Sequence, residues 1–403
     1  MSYTRNVSFE YDVCVVGGCG HVGLPLAIAF AESGLRVSIY DTDCQAVQSV
    51  AAGIMPFREA GAESLLRAHV GKTLHASHEA EVVARSKHIV VVIGTPVDEH
   101  LNPTFYVIRR FFIGLKPYLR DGQCVILRST VFPGTTARVN ELLRAEGLNV
   151  HVAFCPERIA EGHALEEFKT LPQIVSGCDR EAAEMAESLF GRLNRKIIHL
   201  EPIEAEMAKV FTNSWRYIQF SAANQFFMIA ADYGLDFYRI YDAIVADYPR
   251  MAGLPGSGFA AGPCLLKDTM QLAAAYNNNF QLGHAAMLIN EGLPNFIVQH
   301  LKRTFPLKNM RVGILGMSFK AESDDPRSSL SYKLRKIIEY EAREVVCSDE
   351  YISDPRFIPA QDLVDSCDLI ILGAPHRRYR ELRLEGRQVI DIWNFYGKGA
   401  ALQ

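Results

Sequence analysis

The chain is expected to be an α/β protein: two Rossmann-like, doubly wound parallel-sheet domains joined by a central helical domain with a long helix. Three observations predict this. Short apolar runs alternate with helical patterns from residue 11 and again from about 310, the order of strand, crossover helix and parallel strand. Each series opens on a glycine-containing turn. Between them, residues 203–233 contain neither Gly nor Pro. At 403 residues there is room for two or three domains of about 100 to 200 residues each.

The first strand is expected at YDVCVV, followed by a glycine turn, the apolar helix LPLAIAFAES, Gly34 and a second strand RVSIYD. HIVVVIGTP, QCVILRST and VHVAFCPE supply further strands. From 203, Met207, Val210, Phe211, Trp215 and Ile218 recur at steps of three and four, which predicts a helix. A second helical run is expected from about 269 to 303. MRVGILGMSF, SSLSYKLRKIIEYEA and REVVCSD then repeat strand, helix and strand, and DLIILGAP and QVIDIWNF add two more strands. The resulting boundaries are 1–200, 201–305 and 306–403.

Composition narrows the function. Hydrophobic residues make up 49% and charged residues 22%, with a net charge of -4; that balance counts against a nucleic acid or an anionic membrane as partner. The nine cysteines form no CxxC pair, so neither a metal site nor a disulfide framework is expected, and a reducing cytoplasm is. The polar start MSYTRNVSFEYD is not a signal peptide. The apolar run 13–30 is broken by glycines, His21 and Pro25 and reads as strand, turn and helix rather than a span.

Within VVGGCGHVGLPLA, Gly18, Gly20 and Gly23 form G-x-G-x-x-G between a strand and a helix. The first glycine permits the tight turn, the second lets a pyrophosphate approach, and the third lets helix and strand pack. The helix N-terminus offers free N–H groups and a positive dipole end. Asp41 ends the next strand, 23 residues after Gly18. An acid there accepts from ribose hydroxyls and repels a 2′-phosphate, which favours NAD over NADP. The second turn keeps Gly313 and Gly316 but has Phe319 in place of a third glycine, and Asp349 ends its next strand. A nucleotide-like fold for another ligand is expected there.

Several polar residues stand where apolar ones would be the plain choice: Thr130 at a strand end, Glu157 and Glu161 in PERIAEG, and Lys209 and Asn213 four apart on the long helix. Cys264 follows a turn of small residues, GSGFAAGPC, and precedes Lys267 and Asp268. By residue type alone Cys264 is either a small buried hydrophobe or a nucleophile. Taken alone, the Lys/Asn pair is more often a solvated helix face and the Glu pair more often charge exposed to water.

In order and together they resemble the UDP-glucose/GDP-mannose dehydrogenase family, over nearly the whole chain. The resemblance rests on Gly18-Cys19-Gly20-His21-Val22-Gly23-Leu24, Gly94-Thr95-Pro96, Ser129-Thr130 with Pro133-Gly134, and Pro156-Glu157-Arg158 through Glu161-Gly162. It continues in Ala205-Glu206 with Lys209 and Asn213, Cys264 with Lys267-Asp268, and Phe319-Lys320 with Asp324-Asp325 and Arg327.

The resemblance implies oxidation of carbon six of a nucleotide-linked hexose from alcohol to acid, with two NAD consumed. It makes 1–200 the NAD-binding domain, 201–305 the central, dimer-forming domain and 306–403 the UDP-sugar-binding domain. Cys264 is then the nucleophile, giving a thiohemiacetal and a thioester. Lys209 supplies charge for a developing alkoxide, with Asn213 as hydrogen-bond donor. Asp268 and Thr130 hold a water, and Glu161 assists thioester hydrolysis as a base. Glu157 orients or contacts substrate, together with Arg250, Lys267 and Lys320. Gly18, Gly20, His21, Val22, Gly23, Asp41, Thr95, Thr130 and Arg327 face the cofactor. The partners implied are a UDP-sugar and a second copy of the chain.

The sequence departs from the family pattern at Ala261 and Pro263, at Leu266, and at His21, which stands in place of an aromatic. UDP-glucose is the expected sugar, and Lys267-Asp268-Thr269 with Leu272 resembles that branch. The alternative is UDP-N-acetylglucosamine or UDP-N-acetylmannosamine, which Tyr248-Pro249-Arg250 and Asn290 with Pro294 resemble. A β-hydroxyacid dehydrogenase needs no cysteine and no third domain. A non-catalytic NAD or nucleotide-sugar sensor needs no nucleophile.

Overall fold

The computed structural model describes residues 9–95, 105–260, 262, 264–397 and 402. Pro96, Ala261 and Pro263, singled out above, lie outside the described residues. The chain divides into two compact units, Met1–Phe211 and Thr212–Gln403.

The first unit is built on β1 (Tyr11–Val16), β2 (Val37–Tyr40), β3 (Leu74–Ser77), β4 (Ser86–Val91), β5 (Cys124–Leu127), β6 (His151–Phe154), β7 (Gln173–Gly177) and β8 (Ile197–His199). They form one sheet in the order β3-β2-β1-β4-β5-β6-β7-β8. The order reverses between β1 and β4, and in such sheets ligands bind beyond the carboxyl ends of the strands at that point. Alternate residues of β1 enter opposite layers. Val13 and Val15 pack with Ile28, Phe30 and Ile39, while Cys14 and Val16 pack with Ile89, Phe112 and Val125. Burial on both faces explains why the central strands read as unbroken apolar runs.

Pairing is parallel from β3 to β6. At β7 the direction turns: β6 and β7 are antiparallel, through Ala153↔Gly177 and Phe154↔Ser176, and β8 is parallel to β7. An antiparallel neighbour begins at the end where its partner stops. The intervening loop and the helix Ala164–Thr170 therefore stay at the carboxyl end of the sheet, on the side of the crevice.

The second unit holds β9 (Arg311–Leu315), β10 (Glu344–Ser348), β11 (Leu369–Leu372) and β12 (Gln388–Ile390), a parallel sheet ordered β10-β9-β11-β12. Its helices share a core with that sheet: Leu293, Ile297, Val298 and Leu301 pack with Val312 and Ile314. The helical run expected from 269 to 303 is two helices, Leu265–Ala275 and Gln281–Thr304. The break falls where Asn277 and Asn278 adopt φ of 51° and 59°, a left-handed geometry that asparagine tolerates better than most residues.

The long helix runs Pro202–Asp232, 31 residues, or about 46 Å at 1.5 Å per residue. Val210, Tyr217, Ala223, Phe227 and Ala230 are buried, while Phe211, Trp215, Phe226, Ile229 and Tyr233 are exposed. Among the described residues, no helix is long and apolar enough to cross a membrane.

Candidate active site

In the first unit the glycine turn links β1 to the helix Gly23–Glu32. A Cβ on Gly18 would lie 2.7 Å from the Val15 carbonyl oxygen, and one on Gly23 would lie 2.6 Å from the Gly18 Cα. At Gly20 the nearest atom to a Cβ is 3.9 Å away, and the residue is exposed. Two glycines are thus required by packing, and the middle one opens onto free space where a pyrophosphate can approach. His21 and Val22 complete the turn, and the His21 ring stacks on Phe57 at 4.1 Å.

Asp41 follows β2. Its Oδ2 accepts the Cys19 N–H at 2.9 Å and its Oδ1 accepts the Asp43 N–H at 3.1 Å. It also lines a cleft of about 500 Å³ with Val16, Tyr40, Tyr106, Arg110 and Tyr118. Aromatic walls and an acid at the rim fit an adenosine, so the residues present fit NAD. Beyond β4 and β5, Thr95 Oγ1 donates to the Thr130 carbonyl at 2.6 Å and Ser129 Oγ donates to the Ile93 carbonyl at 2.6 Å. These bonds tie together the two strand ends that carry Thr95 and Thr130.

Glu157 is buried, and its Oε2 meets Arg128 at 2.9 Å from Nε and 2.7 Å from Nη2. Arg128 also reaches Gln173 at 3.2 Å and stacks over the Phe190 ring at 4.4 Å. Glu157 Oε1 accepts the N–H groups of Arg158 and Ile159. Glu157 therefore anchors the start of the loop that carries Glu161. Glu206 anchors another. It accepts the Gly134 N–H at 2.6 Å and the Thr136 N–H at 2.7 Å, supplying the N-terminal cap that Gly134 lacks for the helix Thr135–Ala145. Burial raises the Glu206 carboxyl above its ordinary pKa, against the pull of those bonds. Lys209 lies half-buried one turn further along the long helix.

In the second unit, Cys264 is exposed and immediately precedes the helix Leu265–Ala275. Asp268, in the first turn, donates its N–H to the Cys264 carbonyl at 2.8 Å, and its Oδ1 lies 3.6 Å from Lys267 Nζ. Asn213 Nδ2 donates to Asp268 Oδ2 at 2.5 Å. Burial pushes up the thiols of Cys14, Cys19, Cys155 and Cys347, each to about 12. Among the described cysteines, Cys44 is the other exposed one, and no basic residue lies in its helix Cys44–Ala51.

The loop before Cys264 is held from two sides. Gly258 N–H donates to Asn224 Oδ1 at 2.9 Å, and Asn224 is itself bonded to Asn290 at 2.9 Å. Ser257 Oγ and Tyr238 OH both donate to the Ile392 carbonyl, at 2.6 and 2.9 Å. Asn290, read above as a mark of the sugar, is fully buried, and its amide donates to the Tyr217 carbonyl at 3.1 Å. No sequence signal pointed to Asn224 or Ser257, whose partners lie 34 and 135 residues away.

The turn after β9 differs from the first. Asp349 Oδ2 accepts the N–H groups of Met317 and Ser318 at 2.6 and 3.0 Å. Its Oδ1 accepts those of Tyr351 and Ile352 at 2.8 and 3.0 Å. His376 Nδ1 accepts the Glu322 N–H at 2.9 Å, which leaves Nε2–H to face Asp349 at 3.2 Å. A buried carboxylate thus takes two amides of this turn, where Asp41 takes one, that of Cys19, in the first. Lys320 lies 5.6 Å from the Phe319 ring centre, Arg327 pairs with Asp325 at 2.6 Å, and Arg250 is exposed beside Tyr248. Thr130, Glu161 and Lys209 belong to the first unit, and Asn213, Arg250, Cys264, Lys267, Asp268, Lys320 and Arg327 to the second.

Residues 11–194 match the NAD binding domain of the UDP-glucose/GDP-mannose dehydrogenase family, 203–292 its central domain and 313–398 its UDP binding domain. The chain is 28% identical over 382 residues to a UDP-N-acetyl-D-mannosamine dehydrogenase of Pyrococcus horikoshii, covering 91% of this chain and 90% of that one. It is 26% identical over 414 residues to an NDP-N-acetyl-D-galactosaminuronic acid dehydrogenase of Ralstonia nicotianae, covering 96% and 97%. The solved structure of a UDP-glucose dehydrogenase from Pyrobaculum islandicum is similar with a TM-score of 0.85 at 26% identity, over 97% of this chain and 96% of that one.

Proposed function

Because the chain belongs to the UDP-glucose/GDP-mannose dehydrogenase family and is an NAD-dependent nucleotide-sugar dehydrogenase, we propose that it oxidises carbon six of a UDP-N-acetylhexosamine to the carboxylate. UDP-N-acetylmannosamine is the first substrate to try. The expectation of UDP-glucose gives way to this alternative because the two curated relatives named above both act on N-acetyl sugars. The segment Tyr248-Pro249-Arg250 supports the same choice.

NAD, when bound, supplies the hydride acceptor for each of the two oxidations. Gly18, Gly20, His21, Val22 and Gly23 hold its pyrophosphate, Asp41 its adenosine ribose, and Thr95, Thr130 and Arg327 complete its contacts. Lys320, Lys267 and Arg250 bind the sugar nucleotide. After the first oxidation the Cys264 thiolate adds to the aldehyde carbon, and the carbonyl π pair becomes an alkoxide stabilised by Lys209 and Asn213. Loss of the second hydride leaves a thioester. A water, deprotonated with help from Glu161, adds to that carbonyl; the C–S bond breaks, the acid leaves and the thiolate returns. Asp268 and Thr130 hold the water that relays the alcohol proton.

The observation that carries this reading is Cys264: an exposed thiol at the head of a helix, with Lys267 and Asp268 in the following turn. The test is NADH formed per sugar consumed, for wild type and Cys264→Ala, with UDP-glucose and the UDP-N-acetylhexosamines. Two NADH per N-acetyl sugar, lost in the variant, is expected. Turnover of UDP-glucose alone would overturn the sugar assignment, and one NADH per sugar would overturn the covalent route. We also infer a homodimer, built on the exposed stripe of Phe211, Trp215, Phe226 and Ile229 along the long helix, with Tyr233 just beyond its end.

A further inference from the structure

The loop between β6 and the helix Ala164–Thr170 carries Glu161 and has no regular structure, yet most of its amides donate to carboxylates. Arg158 and Ile159 donate to Glu157 at 2.7 and 3.0 Å. Ala160 donates to Glu167 at 2.5 Å. Gly162 and Ala164 donate to the two oxygens of Glu59, each at 2.8 Å. The peptide on either side of Glu161 is therefore fixed, and Glu59 holds the following one from 103 residues away. Gly162 adopts φ of +87°, a turn that glycine allows and that the Glu59 bond clamps in place.

Glu59 also stands two residues from Phe57, whose ring stacks at 4.1 Å on His21 of the glycine turn. One short segment, Phe57 to Glu59, thus touches the phosphate-binding turn and the Glu161 loop. Burial raises the Glu59 carboxyl above its ordinary pKa, and the Gly162 and Ala164 N–H groups oppose that. A half-buried acid kept in this place at a cost suggests a task beyond solubility.

We propose that Glu59 is a positioning residue for thioester hydrolysis: its carboxylate sets the reach of Glu161 toward the carbon being attacked by water. The proposal rests on the reading of Glu161 given above. Displacing a catalytic group by about 1 Å can cost about 100-fold in rate, so a lost clamp should be visible in the step that Glu161 serves and in no other.

The experiment compares wild type, Glu59→Ala, Glu59→Gln and Glu161→Gln in a single-turnover reaction, following NADH and the intact mass of the enzyme. In Glu59→Ala the NADH burst should keep its rate while hydrolysis slows by about 10- to 100-fold. The acyl adduct on Cys264 should accumulate, with steady-state kcat and KM for the sugar falling together and kcat/KM unchanged. Glu59→Gln retains one acceptor oxygen and should fall between Ala and wild type. Wild-type hydrolysis in either folded Glu59 variant, alongside a slow Glu161→Gln, overturns the proposal while sparing the reading of Glu161. Absence of the adduct in Glu161→Gln removes both. Burst and hydrolysis falling together with the melting temperature assigns Glu59 to the fold alone and overturns the proposal.

Discussion

Asn213 and Asp268 meet at 2.5 Å, amide to carboxylate, across 55 residues of sequence. Both are buried, Asp268 completely. The contact sets the rotation of a carboxylate one helical turn beyond Cys264, next to the Lys267 ammonium. An acid held this way keeps one orientation through a reaction in which charge appears and disappears nearby.

Asn213→Ala should therefore lose about 1.5 to 3 kcal/mol of stability, the range for a hydrogen bond to a charged group. Its kcat should fall further than its KM rises. Asn213→Asp sets a second carboxylate against the first and should be worse on both counts. Urea unfolding and initial rates with a UDP-N-acetylhexosamine check this; wild-type stability in Asn213→Ala would contradict it.

Alanine at the glycines of the first turn should separate folding from cofactor binding. Gly18→Ala and Gly23→Ala place a Cβ within 2.7 Å of other atoms and should cost about 1 to 3 kcal/mol. Gly20→Ala meets nothing closer than 3.9 Å and should melt within about 2 °C of wild type. Its KM for NAD should nevertheless rise at least about tenfold, or ~1.4 kcal/mol. Normal NAD affinity in Gly20→Ala would mean that the pyrophosphate does not cross this turn.

Acid should expose the Asp349 cluster. Burial alone would raise the carboxyl, but the His376, Tyr351 and Ile352 donors outweigh it and hold the pKa below the ordinary 3.8. The folded-state value is depressed, so the contribution is complete above 3.8 and is lost as pH falls through the lower folded value. Denaturant midpoints measured between about pH 2 and 5 should fall more steeply in wild type than in Asp349→Asn. Parallel curves would show that Asp349 does not titrate differently on folding.

Trp215 is 60% exposed on the long helix. Wild type should sediment as a dimer at micromolar concentration, and Trp215→Glu should sediment as a monomer with an unchanged circular dichroism spectrum. A monomeric wild type would remove the homodimer from the reading.

What the sequence made legible was local. Gly18, Gly20, Gly23 and Asp41 announce themselves because a turn, a close approach and a strand end each demand a residue type at short range. The long helix was equally plain from its spacing. Contacts formed across the chain were not. Glu59 meets Gly162 across 103 residues and Asn224 meets Asn290 across 66, and no period or motif links such partners. The aromatic content of the long helix did not show which of its side chains face a neighbour: Tyr217 and Phe227 are 0% and 2% exposed, whereas Trp215 and Phe226 are 60% and 46% exposed. The break at Asn277 and Asn278 was in fact legible, because three consecutive asparagines, Asn277 to Asn279, interrupt the run.

The carboxylate of Asp349 has a consequence for redesign. Replacing Phe319 by glycine would put a glycine three residues after Gly316, the interval between Gly20 and Gly23 in the first turn, yet the amides of Met317 and Ser318 would still be engaged by a resident anion. A guest phosphate would meet occupied donors and a like charge. One polypeptide thus carries the same strand-turn-helix device twice in two states of engagement, with one turn amide held by Asp41 in the first copy and two held by Asp349 in the second. Converting it would call for removing Asp349 first, and only then for reshaping the turn.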